Sequence, residues 1–468
     1  GKKEGVYWLR AYCADTNYSD TVDVDVHFLE SGPYYFKNRE SNKYMSVQEH
    51  SQADGAQIVQ ESFKGEIWQE FYLERDFTTG YIRIKNRNSN KYLGVENNSS
   101  AHDTDIKQYA YSKNSAGQQF KIERISGGET IKIIPRTGEG LSPQRVVCVG
   151  NYVINSDGVH IQQRDFGAND GYYRDEWYAY KFDRSSDFGK LVVNMQKLYE
   201  LAQEYSELQH SLNPDAPEIN PTELTMQYIR RDKYNSNYSG GIEWILATGT
   251  IDNKFVDRVE RLSPELHTYF LHSEEWIINL PNANEDKIDI THLAAVYNSL
   301  LYDSIAPIHY EDDVDDLSGW GGDLRSSVPV IMRDVNYSDD YNTVYNATYN
   351  YIGTGGNFNM PDLLADVDAY NLYKMTKPDS PAARFFEYYY EGGYLKRFTD
   401  FIGNKSYANI YNRCERMITM VPLEWFWAIK KVDENGNDTN EDLILTDTQI
   451  EAICDAYTTY IIDQTANE

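Results

Sequence analysis

The residues best suited to chemistry stand in the second half of the chain. Asp312-Asp313-Val314-Asp315-Asp316-Leu317-Ser318-Gly319-Trp320-Gly321-Gly322-Asp323-Leu324 sets glycines around a tryptophan, which brings backbone and a large ring close to a bound group. Asp323 stands where a helix is predicted to begin, and a carboxylate there caps the helix and is held as the anion by the helix dipole. His292 lies off the apolar stripe of Leu293, Val296, Tyr297, Leu300 and Leu301. Asp368 and Asn371 share a predicted helix face with Leu364, which turns a polar pair toward packing, and buried carboxylates need partners or a task. The Gly-rich stretch 354–359 precedes that helix as a rim. Asp316, Asp323, Asp368, His292 and Trp320 are the inventory for hydrolysis by a carboxylate pair, or for a His base oriented by an Asp. In this reading Asp323 and Asp368 are the acid and base, with Asn371 beside Asp368. His292 orients or relays a proton, and Trp320 stacks on a sugar. Ser318 carries no mark of an activated nucleophile.

The elements that must position these groups change character along the chain. In residues 1–32, Val22, Val24 and Val26 alternate with Asp23, Asp25 and His27, the pattern of lead-in strands with one wet face. A unit is then written three times. Its opening reads Lys37-Asn38-Arg39-Glu40-Ser41-Asn42-Lys43-Tyr44-Met45-Ser46-Val47, then Lys85-Asn86-Arg87-Asn88-Ser89-Asn90-Lys91-Tyr92-Leu93-Gly94-Val95, and more loosely Ile131-Lys132-Ile133 with Val146-Val147-Cys148-Val149. A middle marker recurs as Ile58-Val59-Gln60, Ile106-Lys107-Gln108 and Ile161-Gln162-Gln163; the units close on Gln69-Glu70-Phe71, Gln118-Gln119-Phe120 and Asp175-Glu176-Trp177. Units this small cannot bury an apolar face alone and must close on their copies. Short alternating runs between polar turns predict strands, hence a closed barrel with pseudo-threefold symmetry.

These motifs resemble the ricin-type β-trefoil over residues 33–182. The resemblance implies a barrel plugged by Phe71, Phe120 and Trp177. In that family a sugar-binding repeat has an Asp before the Val of the opening motif, an aromatic platform after the Ile-x-Gln marker and an Asn before the closing Gln. Those positions hold Ser46, Gly94 and Cys148; Glu61, Tyr109 and Arg164; and Trp68, Gly117 and Arg174. The second repeat alone keeps a platform, Tyr109, with Glu96 and Asn97 as candidate acceptors for sugar hydroxyls.

After Phe182 the period shifts to that of helices. Leu191, Met195, Leu198, Ala202 and Tyr205 form one stripe, with Asp187 placed to cap it. A Pro-rich linker spans 211–221, and helices are predicted around 222–233, 253–275, 289–303, 323–334, 360–375, 380–402, 405–430 and 447–463. The fold expected is multidomain: an all-β trefoil of three repeats, then a mainly α-helical domain over 187–468. Asp433-Glu434-Asn435-Gly436-Asn437-Asp438 looks like a calcium loop but fails the register, with Asp438 at loop position six and Ile444 at position twelve, so a loop or hairpin is expected, with no metal and no cofactor.

Composition limits the partners. With 44 basic against 73 acidic side chains the formal charge is −29, which disfavours nucleic acid and anionic lipid. Forty tyrosines and eight tryptophans suit saccharide stacking. No apolar run is long enough to span a membrane. The opening Gly1-Lys2-Lys3 fits a trimmed or signal-processed form and so permits export; a secreted or cell-surface location and a monomer are the expectations. No two of Cys13, Cys148, Cys414 and Cys454 are spaced Cys-x-x-Cys; Cys414 and Cys454 either pair or stay as buried thiols. The expected function is a glycan- or cell-wall-directed hydrolase with a carbohydrate-binding trefoil that holds it near substrate. The alternative is a non-catalytic lectin-like adhesin on a helical scaffold.

Overall fold

The computed structural model describes residues 6–12, 19–25, 29, 31–76, 79–125, 129–150, 155–167, 173–230, 252–271, 276–281, 287–305, 327–354, 360–390, 407–419, 430–435 and 437–467. The chain divides into two compact units, Gly1–Asp183 and Arg184–Glu468.

In the first unit, β1 (Val6–Tyr12) and β2 (Ser19–Asp25) form an antiparallel hairpin. Twelve further strands follow, four to a repeat. They are β3 (Gly32–Asn38), β4 (Tyr44–Val47), β5 (Ile58–Glu61) and β6 (Phe71–Arg75); β7 (Ile82–Asn86), β8 (Tyr92–Val95), β9 (Thr104–Tyr109) and β10 (Phe120–Arg124); and β11 (Ile131–Pro135), β12 (Arg145–Val149), β13 (Val159–Asp165) and β14 (Trp177–Lys181). The first and last strands of each repeat pair around a closed ring, β3 to β6, β7, β10, β11, β14 and back to β3. The middle strands form three hairpins, β4–β5, β8–β9 and β12–β13, with β13 pairing to both β5 and β9. Closure leaves no sheet edge in the ring.

The sequence motifs are what tie the copies together. Each closing aromatic is fully buried and sits opposite the opening motif of the next repeat: Phe71 against Asn86, Phe120 against Pro135, Trp177 against Asn38. The opening arginine then reaches the residue before that aromatic, with Arg87 to Glu70 at 2.5 Å, Arg136 to Gln119 at 2.5 Å and Arg39 to Glu176 at 2.7 Å. The closing Gln69 and Gln118 each clamp their own loop, taking a backbone N–H and giving one to a carbonyl. The middle-marker amides cross between repeats: Gln108 donates to the carbonyls of Ser51 and Ala53, Gln163 to those of Ser99 and Ala101, and Gln60 to that of Ser156. Buried amides with bonds on this scale fix register as well as contributing stability.

The second unit is built on α1 (Asp187–Leu212), α2 (Pro221–Arg230), α3 (Asn253–Leu262), α4 (Pro264–Tyr269), α5 (Ile290–Ile305), α6 (327–334), α7 (Tyr341–Thr354), α8 (Met360–Lys374), α9 (Pro381–Tyr390), α10 (Tyr407–Thr419) and α11 (Asp447–Asn467), with two small hairpins, β15 (Ile277–Asn279) with β16 (Lys287–Asp289) and β17 (Lys430–Val432) with β18 (Asp438–Asp442). The α1 stripe is buried throughout, but its cap is Ser186 and not Asp187: the Ser186 hydroxyl accepts from Gly189 N at 3.0 Å while Asp187 begins the helix. The single helix expected over 253–275 is broken at Ser263-Pro264, since Pro264 has no N–H to continue it and starts α4 instead. A helix not anticipated from sequence, α7, packs Val344 and Ile352 into a core shared with Ile410, Cys414, Ile453 and Tyr457 of α10 and α11. Cys148, Cys414 and Cys454 are buried free thiols; burial pushes Cys414 up to about 12.

Candidate carbohydrate-binding site

Tyr109 ends β9 directly opposite Tyr92 of β8, so the two side chains share a face of the hairpin. Two pairs further along, on the same face, stands Gly94, opposite Lys107. A Cβ at residue 94 would lie 3.1 Å from Tyr109 Cδ2, so its absence lets the ring settle against the strand. Glu96 opens the 3-10 turn Glu96–Asn98 and meets Lys107 Nζ at 2.5 Å, a bond that raises the lysine pKa. Burial, then the Glu96 charge, raises the Tyr109 phenol. Aromatic face, carboxylate and ammonium thus lie along one strand face, the donor and acceptor set for a sugar ring.

Asn97 is exposed in the left-handed conformation at φ 54°. The next residue, not singled out from sequence, faces the closing motif: Asn98 Oδ1 accepts from Ser115 Oγ at 2.7 Å and Gly117 N at 2.8 Å. It stands over residue 117, where the ricin-type motif has an asparagine, and a Cβ there would be 2.8 Å from Asn98 Oδ1. The paired signal, an asparagine after the turn with a glycine before the closing Gln, was present in the sequence.

The other repeats are closed at these positions. In the first, Ser46 donates to Glu61 at 2.5 Å and the His50 ring stacks on Trp68 at 3.7 Å. In the third, Cys148 is buried, Arg164 pairs with Asp103 at 2.7 Å and Arg174 is buried.

In the helical unit, Asp316, Trp320 and Asp323 lie outside the described residues, as do residues 355–359 of the Gly-rich rim. His292 is half-buried in the first turn of α5, where Asp289 Oδ1 accepts from Thr291 N, Thr291 Oγ1 and His292 N at 2.6–3.1 Å. Asp368 is 0% exposed; its Oδ1 accepts from the Tyr388 hydroxyl at 2.6 Å and its Oδ2 from Tyr389 at 2.7 Å. Asn371 donates to the Tyr388 oxygen at 3.3 Å, so one phenol joins the polar pair. Neither tyrosine was singled out from sequence, because they come from α9. Asp433 Oδ1 accepts from the backbone of Asn435 and Asn437, bonds that hold its pKa down and close the β17–β18 hairpin. Among the described residues no group of three His, Cys, Asp or Glu side chains could hold a metal ion.

The ring of strands, the three hairpins and the linking amides define the first unit as a β-trefoil, and residues 26–109 and 67–164 match the family described as ricin-type beta-trefoil lectin domain-like. The chain is thus a ricin-type trefoil followed by a helical unit. Residues 294–468 match the family described as YkzU uncharacterised protein. Uncharacterized protein YkzU of Bacillus subtilis (strain 168) is 31% identical over 117 residues, 24% of this chain; the chain spans 63% of that relative's length. Among solved structures, the designed three-fold symmetric protein ThreeFoil is 29% identical over 32% of this chain and 97% of its own, with a TM-score of 0.28. An exo-beta-1,3-galactanase from Clostridium thermocellum is 26% identical over 34% of this chain and 32% of its own, with a TM-score of 0.28. A Macrolepiota procera ricin B-like lectin in complex with lactose is 14% identical over 33% of this chain and 98% of its own, with a TM-score of 0.27.

Proposed function

We propose that this is a glycan-binding protein, secreted or held at the cell surface, whose trefoil takes sugar at its second repeat. Tyr109 is the platform, Glu96 and Asn97 offer acceptors, and Asn98 adds an amide from across the turn. The observation that carries this is the Tyr109 ring laid against Gly94 beside the Glu96–Lys107 pair, while the matching positions of the other repeats are occupied by their own side chains. A glycan array on the full chain, followed by titration calorimetry on its best ligand, tests it. Tyr109→Ala is expected to weaken that ligand at least tenfold with the melting temperature unchanged; wild-type protein that retains no glycan overturns the reading.

The second reading, a glycan- or cell-wall-directed hydrolase, draws on the full burial of the Asp368 carboxylate. It takes Asp323 and Asp368 as the acid and base, with His292, Trp320, Asp316 and Asn371 in support. Incubation of the full chain with peptidoglycan and a polysaccharide panel decides it: product release abolished by both Asp323→Asn and Asp368→Asn supports the hydrolase, and no release from any substrate leaves the binding protein.

A further inference from the structure

We propose that the sugar chain held at Tyr109 continues over Tyr92 and Tyr111, so that the second repeat binds a linear oligosaccharide and not a single terminal sugar. This rests on the carbohydrate reading above and extends the same site along the β8–β9 hairpin. Tyr92 stands opposite Tyr109, and the Tyr111 ring lies 5.4 Å from that of Tyr92. β9 ends at Tyr109 and the chain bends at Ala110, so Tyr111 follows just beyond the strand and joins the row through its ring contact with Tyr92.

The far end of this line is built and not merely exposed. Tyr111 is 58% exposed, yet the Arg83 guanidinium lies 4.9 Å from its ring centroid. Arg83 is itself only 7% exposed and donates to the carbonyls of Ser112 and Lys113 at 3.2 and 2.9 Å and to Gln118 Oε1 at 3.4 Å, so the loop next to Tyr111 is pinned. The Tyr92 hydroxyl donates to Glu74 at 2.8 Å, and Lys85 reaches the same carboxylate at 3.5 Å and lies 5.7 Å from the Tyr92 ring. An acceptor and a donor for sugar hydroxyls therefore flank two rings already held in place, and pre-ordered side chains lose little entropy on binding.

The other repeats show that the fold does not require this arrangement. Three residues past the middle-marker glutamine stand Phe63, Tyr111 and Phe166. Phe63 is 5% exposed, packed among Tyr35 and Tyr44. Phe166 lies under Lys132, but the residue matching Tyr92 is Val146, which is fully buried. Among the described residues, paired surface rings beside a platform occur in the second repeat alone.

Titration calorimetry on the full chain, with galactose, β-1,3-linked galactobiose and galactotriose, and with N-acetylglucosamine, chitobiose and chitotriose, tests the proposal. In the series that binds, the trisaccharide is expected to bind about tenfold more tightly than the monosaccharide, since two further rings are covered. Tyr111→Ala should bring the trisaccharide down to the monosaccharide's affinity, Tyr111→Phe should keep the gain, and Tyr109→Ala should abolish binding of every length. Equal affinity for all lengths, or a gain that survives Tyr111→Ala, overturns the extended site while Tyr109 dependence leaves the carbohydrate reading standing. No binding in either series overturns both.

Discussion

At residue 117 the ricin-type resemblance points to an asparagine, and the structure shows why a glycine stands there. A Cβ would meet Asn98 Oδ1 at 2.8 Å, the Val95 carbonyl oxygen at 3.0 Å and the Val95 nitrogen at 3.2 Å, two of them backbone atoms that cannot swing away. Asn98 fills that space from the opposite side of the turn, its Oδ1 accepting from Gly117 N. Gly117→Asn is therefore expected to lower stability by about 2 kcal/mol, the scale of an overpacked site, and to lower sugar affinity by displacing Asn98; urea unfolding beside calorimetry checks both, and a variant as stable as wild type defeats the account. Gly94 makes a softer case. Its Cβ would meet only side-chain carbons, Tyr109 Cδ2 at 3.1 Å and Gln118 Cγ at 3.2 Å. Gly94→Ala should leave the fold intact and tilt the Tyr109 ring, weakening glycan binding severalfold while the melting temperature moves little.

Among the elements, the three middle-marker glutamines do the same task with different numbers of bonds, which makes the trefoil its own control. Gln108 is buried, donates to two carbonyls of the preceding repeat and accepts from Ser89 Oγ at 2.6 Å. Gln108→Ala leaves those carbonyls inside without a donor, at ~1–3 kcal/mol for each group so stranded, and should cost about 3 kcal/mol in urea unfolding; a loss below 1 kcal/mol would show that water replaces the amide. These glutamines were legible in the sequence because the unit repeats, and repetition exposes any residue the fold needs at a fixed register. The helical unit has no such redundancy. Helix α7, Tyr-Asn-Thr-Val-Tyr-Asn-Ala-Thr-Tyr-Asn-Tyr-Ile, is rich in residues that favour strands and turns, and it is helical because Val344, Thr348 and Ile352 fall on one buried stripe against α11. For the candidate site, Tyr109 was nameable as a candidate from the motif, and Asn98 carried a sequence signal, the glycine at residue 117, whose meaning the turn geometry supplied. The Asp368 pair was readable as a polar face turned inward, but its phenols come from another helix. Asp368→Ala removes the acceptor for two buried hydroxyls and should cost about 3 kcal/mol; Asp368→Asn, which keeps one acceptor, should cost less.

For the whole molecule, acidic side chains outnumber basic ones 73 to 44, and the forty tyrosines are a further store of donors for carboxylates. Phenol-to-carboxylate bonds recur in both units: Tyr92 to Glu74 and Tyr81 to Glu139 in the trefoil; Tyr205 to Asp252, Tyr349 to Asp463, and both Tyr341 and Tyr407 to Asp455 in the helical unit. Each such bond needs the phenol protonated. Burial, then the bond to Glu74, pushes Tyr92 up to about 12, and the bond to Asp463, then burial, does the same for Tyr349. An unfolded tyrosine titrates near pH 10, so between about pH 10 and pH 12 the unfolded chain sheds protons that the folded chain keeps. By linkage the contribution is fully present below pH 10 and is lost as the pH rises through 12. Scanning calorimetry over a pH series should show little tyrosine-dependent change up to pH 10 and a steep fall beyond it. Asp463→Asn should bring one phenol back toward the ordinary range, seen as earlier tyrosinate absorbance in the native protein. If the native tyrosines instead titrate together near pH 10 with the melting temperature unchanged, the carboxylates are balanced by solvent and counterions, and the phenols are only neighbours.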